Sequence, residues 1–434
     1  MKLKFTLAGI MFIALALAAQ SQVPTPRYGH SVCKIDGMYY IYGGYIIGNK
    51  KSTNSVFSAD VYEYNPDNLT FTKKVTPVAA PNIALHNALT HNGKMIVLGG
   101  TRADGVGFCV NTYDPTNNSW QQDATQPFTT RNRMAGDTIS GEVYICGGIE
   151  NNTTQDKLYK YNPISKTFTE LSFMPQGGRY GHTAINNDGN LLVYGGRNEN
   201  GEQGQMLSFN PNGNYWNFFD PVGMPPMARE NNLSGVLPDE MWIAGGETWS
   251  TFKSTQSTNF FTDIWKLDLS QTPAKWIKKS ENFIPVTSGA GWISVENNDT
   301  LFYSFGGISE ITSTGDTTVT NNFYRYNITE SIVEQYHEDT ENWGNVITSI
   351  NETDFSQNIN LQIYPNPATS EISLTIPNNE SIVSIKIYNQ NGQLVKQIIK
   401  PNAEKINVSD LKTGLYFIRT DTETNRYLSK LIKE

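Results

Sequence analysis

Six pairs of adjacent glycines recur along the chain, and this repetition limits the possible fold more than any other feature. The pairs begin at Gly43, Gly99, Gly147, Gly195, Gly245 and Gly306, so that successive pairs lie 48 to 61 residues apart. A repeat of about 50 residues is typical of proteins built from many copies of one small unit. The lines RYGHSVCKIDGMYYIYGG and RYGHTAINNDGNLLVYGG, which begin at Arg27 and Arg179, are then two well-preserved copies of that unit.

Each unit opens with a predicted β-hairpin that ends at its glycine pair. Turn-forming residues lie six and seven positions before the first glycine, as in Asp36-Gly37 and Asp188-Gly189. Such dipeptides accept the positive φ angles of tight hairpin turns. A short apolar stretch, such as MYYIY or NLLVY, joins the turn to the glycines. The pattern therefore predicts two antiparallel strands, A and B, in every unit.

Two further strands, C and D, follow each glycine pair. The segments YEYNPDNLTF, NTYDPTNNSW, YKYNPISKTF and LSFNPNGNYW each combine an alternating strand, an Asx-Pro turn and a later aromatic residue. Asx followed by Pro favours a type I turn. Four antiparallel strands in each of six units predict an all-β fold, a six-bladed β-propeller.

The combination R-x-x-H, hairpin turn, double glycine, Y-x-[ND]-P and aromatic resembles the Kelch repeat, over residues 27–337. The resemblance implies blades packed around a central channel, and thus a six-bladed Kelch propeller over residues 22–338. It does not imply one function, because Kelch propellers include protein-binding adaptors, a sugar mutarotase and a copper oxidase. The copper oxidase would need a tyrosine–cysteine pair and histidine ligands, and the sequence offers no matching set.

The last 70 or so residues have a different pattern. A polar stretch, 339–360, is predicted to be a linker. Alternating segments then follow, namely IYPNPATSEISLTI, IKIYNQNGQLVKQ, INVSDLKTGLYFIRT and YLSKLIKE, which predict a small C-terminal β-sandwich over 361–434. The order of these motifs resembles the C-terminal sorting domain of type IX secretion substrates. That resemblance implies export across the outer membrane of a Bacteroidota-type bacterium by the type IX machinery; a sugar-binding or fibronectin-like module is the alternative.

The first 21 residues are predicted to be a secretory signal peptide. Lys2 and Lys4 precede an apolar run from Phe5 to Ala19, and small residues follow it. A membrane anchor is the alternative, but the run is short for a bilayer. No later segment is apolar enough to span a membrane, so we expect a secreted or cell-surface protein.

Composition argues against several function classes. The net charge of −8 and the pI of about 5.3, without a basic stripe, make a nucleic-acid partner unfavourable. The three cysteines, Cys33, Cys109 and Cys146, lie in apolar stretches and are too few for a disulfide framework. No HExxH, CxxC or G-x-S-x-G motif is present, so the sequence predicts no metal site, no cofactor and no catalytic residue.

Arginines at one repeat position suggest a binding site. The residues 16 positions before the six glycine pairs are Arg27, Ile83, Arg131, Arg179, Arg229 and Ala290. Strand A is the inner strand of a blade, so we expect the four arginines near the mouth of the channel, where they would attract an anionic ligand. The alternative is a structural role in salt bridges or carbonyl contacts within each blade.

The connections between strands B and C are longest in blades 1, 5 and 6, and they should lie on the same face as the starts of strand A. The blade 5 connection is aromatic, and Trp249 is predicted to lie at the rim of the site. The sequence thus favours a secreted or cell-surface binding module for a protein or glycan, rather than an enzyme. A mutarotase- or epimerase-like enzyme acting on a sugar acid is the alternative.

Overall fold

The computed structural model describes twelve stretches of the chain: 23–47, 55–102, 109–252, 255–296, 298–311, 317–337, 342–346, 362–375, 381–389, 394–399, 405–422 and 426–434. The predicted signal peptide, 1–21, lies outside these residues.

Within the described residues, six consecutive antiparallel sheets form the blades, and each contains strands A to D in chain order. Blades 1 to 3 comprise Ser31–Ile35, Met38–Tyr42, Val61–Asn65 and Thr70–Lys74; Asn87–His91, Lys94–Leu98, Cys109–Asp114 and Ser119–Thr125; and Ala135–Ile139, Glu142–Cys146, Leu158–Asn162 and Thr167–Glu170. Blades 4 to 6 comprise Tyr180–Asn187, Asn190–Asn198, Met206–Asn210 and Tyr215–Phe219; Leu233–Leu237, Glu240–Ala244, Ile264–Asp268 and Lys275–Ser280; and Ala290–Glu296, Asp299–Phe305, Phe323–Asn327 and Ile332–His337. One 3-10 turn, Pro175–Gly177, is the only helical element in these stretches.

Strand B is largely apolar after its first residue because both of its faces are buried between neighbouring blades. In blade 1, Ile41 and Tyr42 are both fully buried. Tyr42 packs with Met95 of blade 2, whereas Ile41 shares a cluster with Tyr303 of blade 6. Successive side chains of a strand point to opposite faces, so one strand contributes to two interfaces. The first sheet of the chain therefore packs on the sixth as well as on the second.

The glycine pairs join neighbouring blades through the backbone. In every case the N–H of the second glycine donates to a carbonyl at the start of the next blade. The six bonds are Gly44 to Ile83, Gly100 to Arg131, Gly148 to Arg179, Gly196 to Arg229, Gly246 to Val286 and Gly307 to Arg27, at 2.8–2.9 Å. The last of these bonds runs from blade 6 to blade 1.

Close approach of the two backbones explains why these positions are glycine. Gly147 has φ +65°, and a Cβ there would lie 2.2 Å from the Arg179 carbonyl oxygen and 2.7 Å from the His182 ring. Glycine adopts this left-handed conformation without steric cost and leaves room for the neighbouring blade. His30 and His86 lie in the same way against the first glycine of the preceding blade. The three histidines at one repeat position are therefore packing residues of the blade interfaces.

A second set of backbone hydrogen bonds forms a closed cycle around the channel. Gly29 donates to Ser288, Leu85 to Gly29, Arg133 to Leu85, Gly181 to Arg133, Asn231 to Gly181, and Ser288 to Asn231, at 2.7–3.0 Å. Each of these six residues has φ between +52° and +63°. Each blade contributes one residue, which donates to one neighbour and accepts from the other.

Blade 6 differs from the sequence prediction in two ways. Its first two strands have seven residues each rather than five, so Val286, not Ala290, occupies the position equivalent to Arg27. A fifth strand, Asn342–Val346, also pairs with strand D, and Trp343 lies opposite Tyr336. Arg325 lies 4.4 Å from the Trp343 ring centroid. The predicted linker, 339–360, thus begins with a strand of the propeller, because one tryptophan in a polar stretch supplies the apolar contact.

The C-terminal residues form two sheets, as predicted for a β-sandwich. One sheet contains Gln362–Tyr364, Glu371–Thr375 and Lys405–Asn407; the other contains Ile382–Asn389, Leu394–Ile399, Gly414–Thr422 and Arg426–Lys433. Buried side chains from both sheets, including Leu374, Ile387, Ile406 and Ile418, share one core.

We expect Gly147→Ala to destabilise the protein by about 1–3 kcal/mol more than Gly189→Ala, because only the first substitution creates a steric clash between blades. Gly189 has φ +77°, and no atom lies within 4 Å of the position that a Cβ would occupy there, so it controls for the cost of the left-handed conformation alone. Unfolding in guanidinium chloride measures both variants. Equal losses of stability would contradict the assigned role of the glycine pairs.

Candidate binding site at the channel mouth

Beyond the glycine pairs, the chain forms a second tier of short strand pairs on one face of the propeller. The elements involved are Arg27–Tyr28, Tyr45–Ile47, Ser55–Phe57, Ile83–Ala84, Thr101–Arg102, Ile149–Glu150, Thr153–Thr154, Gly201–Glu202, Glu247–Phe252, Thr255–Phe260, Ile308–Ile311 and Thr317–Val319. In each blade a residue before strand A, or at its first position in blade 4, pairs with the residue after the glycines. The starts of strand A and the B–C connections therefore share one face, as predicted.

We call the paired residues of this tier the mouth layer. Its six pairs are Tyr28 with Tyr45, Ala84 with Thr101, Asn132 with Ile149, Tyr180 with Arg197, Glu230 with Glu247, and Thr287 with Ile308. Uncharged residues line the arc of blades 2 and 3, whereas charged residues gather in blades 4 and 5. The charged side chains of the mouth layer thus lie on one side of the mouth.

The four arginines predicted to line the mouth occupy equivalent positions, but the structure does not bring their side chains together. Their exposed fractions are 0% for Arg27, 3% for Arg131, 0% for Arg179 and 0% for Arg229. Nη1 of Arg27, Arg179 and Arg229 donates to the carbonyl of the first glycine of the same blade, at 3.0–3.1 Å. Each guanidinium is therefore enclosed within its own blade.

Carboxylates of the same blade neutralise three of these arginines. Arg229 pairs with Asp263 at 2.5 Å, Arg131 with Glu150 at 3.1 Å, and Arg27 with Asp60 at 3.6 Å. Arg179 instead donates to the Gln205 carbonyl at 2.9 Å. This corrects the expectation of an arginine-lined mouth: the four buried side chains contact carboxylates or carbonyls of their own blades and offer no accessible surface to a ligand.

Trp249, the fifth residue predicted for the site, does lie on the mouth face. It belongs to the blade 5 hairpin, and 37% of its side chain is exposed. Its backbone N–H donates to the Glu202 carboxylate of blade 4 at 2.8 Å. The hairpin is therefore held against the neighbouring blade and presents an indole at the rim.

A cavity of about 130 Å³ lies at the centre of the mouth, and all six blades contribute to its wall. Its lining is Gly29, His30, Leu85, His86, Arg133, Met134, Gly181, His182, Asn231, Asn232, Ser288 and Gly289. Burial lowers the pKa of His30, His86 and His182 to about 3, so all three are neutral at physiological pH. Arg133 is consequently the one charged residue in this lining.

Two glutamates of blade 5 form an unusual cross-strand pair. Glu230 and Glu247 exchange both backbone hydrogen bonds at 3.0 Å, and their side chains are 1% and 4% exposed. Like charges directly opposite each other on neighbouring strands are destabilising. Asn231 Nδ2 donates to Glu247 Oε1 at 2.9 Å and lies 3.4 Å from Glu230 Oε2. Thr287 Oγ1 donates to the same Glu247 oxygen at 3.1 Å.

Two arginines lie above this pair. Arg133 Nη1 is 3.8 Å from Glu230 Oε2, and Arg197 Nη1 is 4.0 Å from Glu230 Oε1. Arg197 also donates to Glu202 at 2.8 Å. The Arg133 side chain, 34% exposed, has no hydrogen-bond partner among the described residues. It reaches from blade 3 towards blade 5, with Cζ 5.7 Å from the Tyr180 ring centroid.

Burial has the largest effect on the pKa of both glutamates. It raises the pKa of Glu230 to about 7, an effect that Arg133 opposes and Glu247 reinforces. Burial also raises the pKa of Glu247, against the hydrogen bonds from Asn231 and Thr287. A carboxyl group that titrates near neutral pH beside arginines can bind polar groups or exchange protons with them.

The sequence-based prediction missed these residues although each has a sequence marker. Glu230 follows Arg229, Glu247 follows a glycine pair, and Arg133 lies two positions after Arg131. Aligning the six units shows that no other unit has an acidic residue at both mouth-layer positions. This departure from the repeat is the sequence feature that could have identified the glutamate pair.

The described stretches contain no group of three or more His, Cys, Asp or Glu side chains suited to a metal ion. In the same residues no helix has the length and apolar character needed to span a membrane. The three thiols are free, and Cys33 and Cys146 are buried.

Both parts of the chain match known protein families. Residues 3–247, more than half of the 434, match the Attractin/LZTR1 beta-propeller family. Residues 362–434 match the secretion system C-terminal sorting domain. The two matches agree with the predicted Kelch-like propeller and sorting tail.

Curated relatives match only in part. Kelch domain-containing protein 3 of Rattus norvegicus is 26% identical over 229 residues, which is 52% of this chain and 48% of the rat protein. Kelch-like protein 36 of Mus musculus is 24% identical over 202 residues, or 45% and 30%. Spermatocyte protein spe-26 of Caenorhabditis elegans is 22% identical over 184 residues, or 41% and 31%. The chain thus spans less than half the length of each of these relatives.

We expect Glu230 to make a stabilising contribution that decreases as pH rises from about 4.5 to 7, against the larger opposite contribution of the three buried histidines, whose pKa values lie near 3 in the folded state. The folded state keeps the Glu230 proton up to about pH 7, whereas the unfolded chain releases it near the ordinary value of 4.5. The stabilising contribution is therefore complete below the lower value and is lost as pH passes through the higher one, with a slope of at most about 1.4 kcal/mol per pH unit.

Urea unfolding at pH 5, 6, 7 and 8 measures this effect. Glu230→Gln should make the free energy of unfolding rise more steeply with pH, because it removes a contribution that decreases with pH, and the variant should be more stable than the unsubstituted protein at pH 8. Glu281→Gln, at a side chain 73% exposed, is the matched control and should leave the pH profile unchanged. A Glu230→Gln profile parallel to that of the unsubstituted protein would show that this carboxyl group titrates normally.

Proposed function

Because the chain belongs to the Attractin/LZTR1 β-propeller family and ends in a secretion-system sorting domain, we propose that it is an exported binding protein that uses its channel mouth. The type IX machinery would recognise the sorting domain and carry the propeller to the cell surface or the medium. The ligand would be a protein or a glycan from outside the cell.

The observation that carries this proposal is the asymmetry of the mouth face. The long hairpin of blade 5 belongs to the charged part of the mouth layer, that of blade 6 is next to it and that of blade 1 follows, and Trp249 is exposed at the rim. Exposed aromatic residues beside a polar depression are typical of binding surfaces. Rigid blades with variable loops on one face are also the usual arrangement for recognition.

The second candidate is an enzyme that acts on a sugar acid. The observation that favours it is Glu230, whose pKa of about 7 would suit a general base beside Arg133. Against it, the charged residues around Glu230 almost balance, which gives an acidic substrate little electrostatic advantage. Binding is therefore the better-supported function. If NMR showed that the purified protein interconverts the anomers of a sugar acid, the enzyme would be the better-supported function.

We expect removal of residues 361–434 to leave the propeller folded but retained in the periplasm, since the segment that the secretion machinery recognises is lost. Cell fractionation with immunoblotting of the medium, cell surface and periplasm measures the outcome. The control is a full-length chain with Lys396→Gln, which alters only an exposed pair with Asp410 in the same domain. Normal surface delivery of the truncated protein would contradict the sorting role.

We expect Trp249→Ala to weaken ligand binding by roughly tenfold or more, because truncating an aromatic side chain that the ligand covers typically costs about 2 kcal/mol or more. The ligand would first be identified by screening the full-length protein against arrays of polysaccharides and extracellular proteins. Phe218→Ala, at another exposed aromatic residue on the outer strand of blade 4, is the matched control. A ligand that tolerates Trp249→Ala but not Phe218→Ala would place the binding surface on the outer edge instead.

A further inference from the structure

The glutamate pair of blade 5 has hydrogen-bond acceptors that protein donors do not fill. Glu247 Oε2 is buried and has no partner among the described residues. Asn231 Nδ2 donates a long hydrogen bond of 3.4 Å to Glu230 Oε2, and the guanidinium nitrogens of Arg133 and Arg197 lie 3.8 and 4.0 Å from the Glu230 oxygens. The two arginine contacts are too long for hydrogen bonds, so these side chains keep donors for another group.

Unfilled donors lie directly beside these acceptors. The Arg133 guanidinium lines the central cavity and, within the described residues, donates no hydrogen bond. Deeper in the cavity wall, both ring nitrogens of His86 and the Asn232 side-chain oxygen are buried without partners in the described chain. A neutral imidazole has one donor and one acceptor. The cavity thus presents donors and acceptors side by side.

The net charge of the ionisable side chains around Glu230 and Glu247 favours some ligands over others. Arg133 and Arg197 contribute +2, while Glu202, Glu230 and Glu247 contribute −3 when all are ionised, so the sum is −1 or closer to zero when Glu230 is protonated. An acidic peptide or a phosphate would need several unpaired cations, which this cluster does not provide. A cationic ligand would be repelled by the two arginines. An uncharged ligand is favoured.

Hydroxyl groups match the arrangement better than other uncharged groups. A hydroxyl both donates and accepts, so one hydroxyl can accept from Arg133 and donate to the side-chain oxygen of Asn231, which also lines the cavity. Half-buried tyrosines of the same mouth layer, Tyr28, Tyr45 and Tyr180, add aromatic surface; the first two rings stack with centroids 5.0 Å apart. Ligands that combine several hydroxyls with an apolar ring face are sugars.

Building on the proposed function, we propose that the mouth binds an uncharged sugar residue, whose hydroxyls lie against the Arg133 guanidinium and the Asn231 side chain. Arg133 and Asn231 contact the sugar from the cavity wall. The buried carboxyl groups of Glu230 and Glu247 lie behind these two residues and orient them. Trp249 and the blade 5 hairpin then contact the next unit of a longer glycan.

The test uses the full-length protein and a defined set of probes. Saturation-transfer NMR and calorimetry would measure binding of glucose, galactose, mannose, N-acetylglucosamine and their neutral oligosaccharides, together with glucuronic acid and a polyglutamate peptide. We expect at least one neutral sugar to bind, and glucuronic acid and the peptide to bind more weakly. Arg133→Gln should weaken sugar binding by roughly tenfold or more, since it removes a charge-assisted hydrogen bond.

Two controls separate a lost contact from a lost fold. Arg325→Gln removes the same charge from the outer part of blade 6, where the arginine pairs with Glu334 at 2.6 Å, and should leave sugar binding unchanged. Circular dichroism and a cooperative thermal transition should show that Arg133→Gln keeps the native fold, with a change in stability because the side chain lies 3.8 Å from Glu230 and over the Tyr180 ring. Glu247→Gln provides a second site variant with the same expected loss of binding.

The possible results distinguish this inference from the broader function. If no neutral sugar binds, or if sugar binding survives both Arg133→Gln and Glu247→Gln, the inference is wrong. A protein ligand that requires Trp249 would then still support a binding role for the mouth. Tighter binding of glucuronic acid than of its neutral counterpart would also overturn the inference and would favour the sugar-acid enzyme.

Discussion

The cycle of six backbone hydrogen bonds around the channel is the interaction on which the propeller depends. Each blade contributes one residue with a left-handed backbone, from Gly29 in blade 1 to Ser288 in blade 6. These bonds join backbone groups, so they tolerate residues as different as Leu85 and Arg133 at the same position. The second glycine of each pair adds a parallel set of bonds between blades. Together the two sets fix the blades, which frees the side chains of the mouth layer to differ.

Most of the fold could be predicted from the sequence because its signals are local. The glycine pairs, the Asx-Gly turns and the Asx-Pro turns each specify a short piece of backbone, and their repetition specifies the number of blades. Blade 6 was misaligned by four residues because its first hairpin is longer, and no local signal marks that length. The strand at Asn342–Val346 lies in a polar stretch, so the sequence leaves open whether residues 343–350 supply a strand, and the packing of Trp343 on blade 6 decides it.

The site was harder to predict because its geometry is not local. Four arginines at one repeat position were correctly expected to be equivalent, but sequence cannot show whether a guanidinium points into the channel or back to a carbonyl of its own blade. The structure shows the second arrangement, with Arg27 and Gly43 as one example. Glu230 and Glu247 belong to different segments, and their opposition depends on the register of a single strand pair. The residues that break the repeat, rather than those that repeat, mark the centre of the proposed recognition chemistry.

The hydrogen-bond cycle has a further consequence for a protein that works outside the cell. In an open array of repeats the terminal units have one neighbour, so unfolding begins by fraying at the ends. A cycle has no terminal unit, and releasing any blade breaks contacts with two neighbours at once. Unfolding must then start with a larger and slower event, and slow unfolding limits the exposure of the chain to proteases. Persistence in a protease-rich environment would follow from the topology itself, without the disulfide bonds on which many extracellular proteins rely.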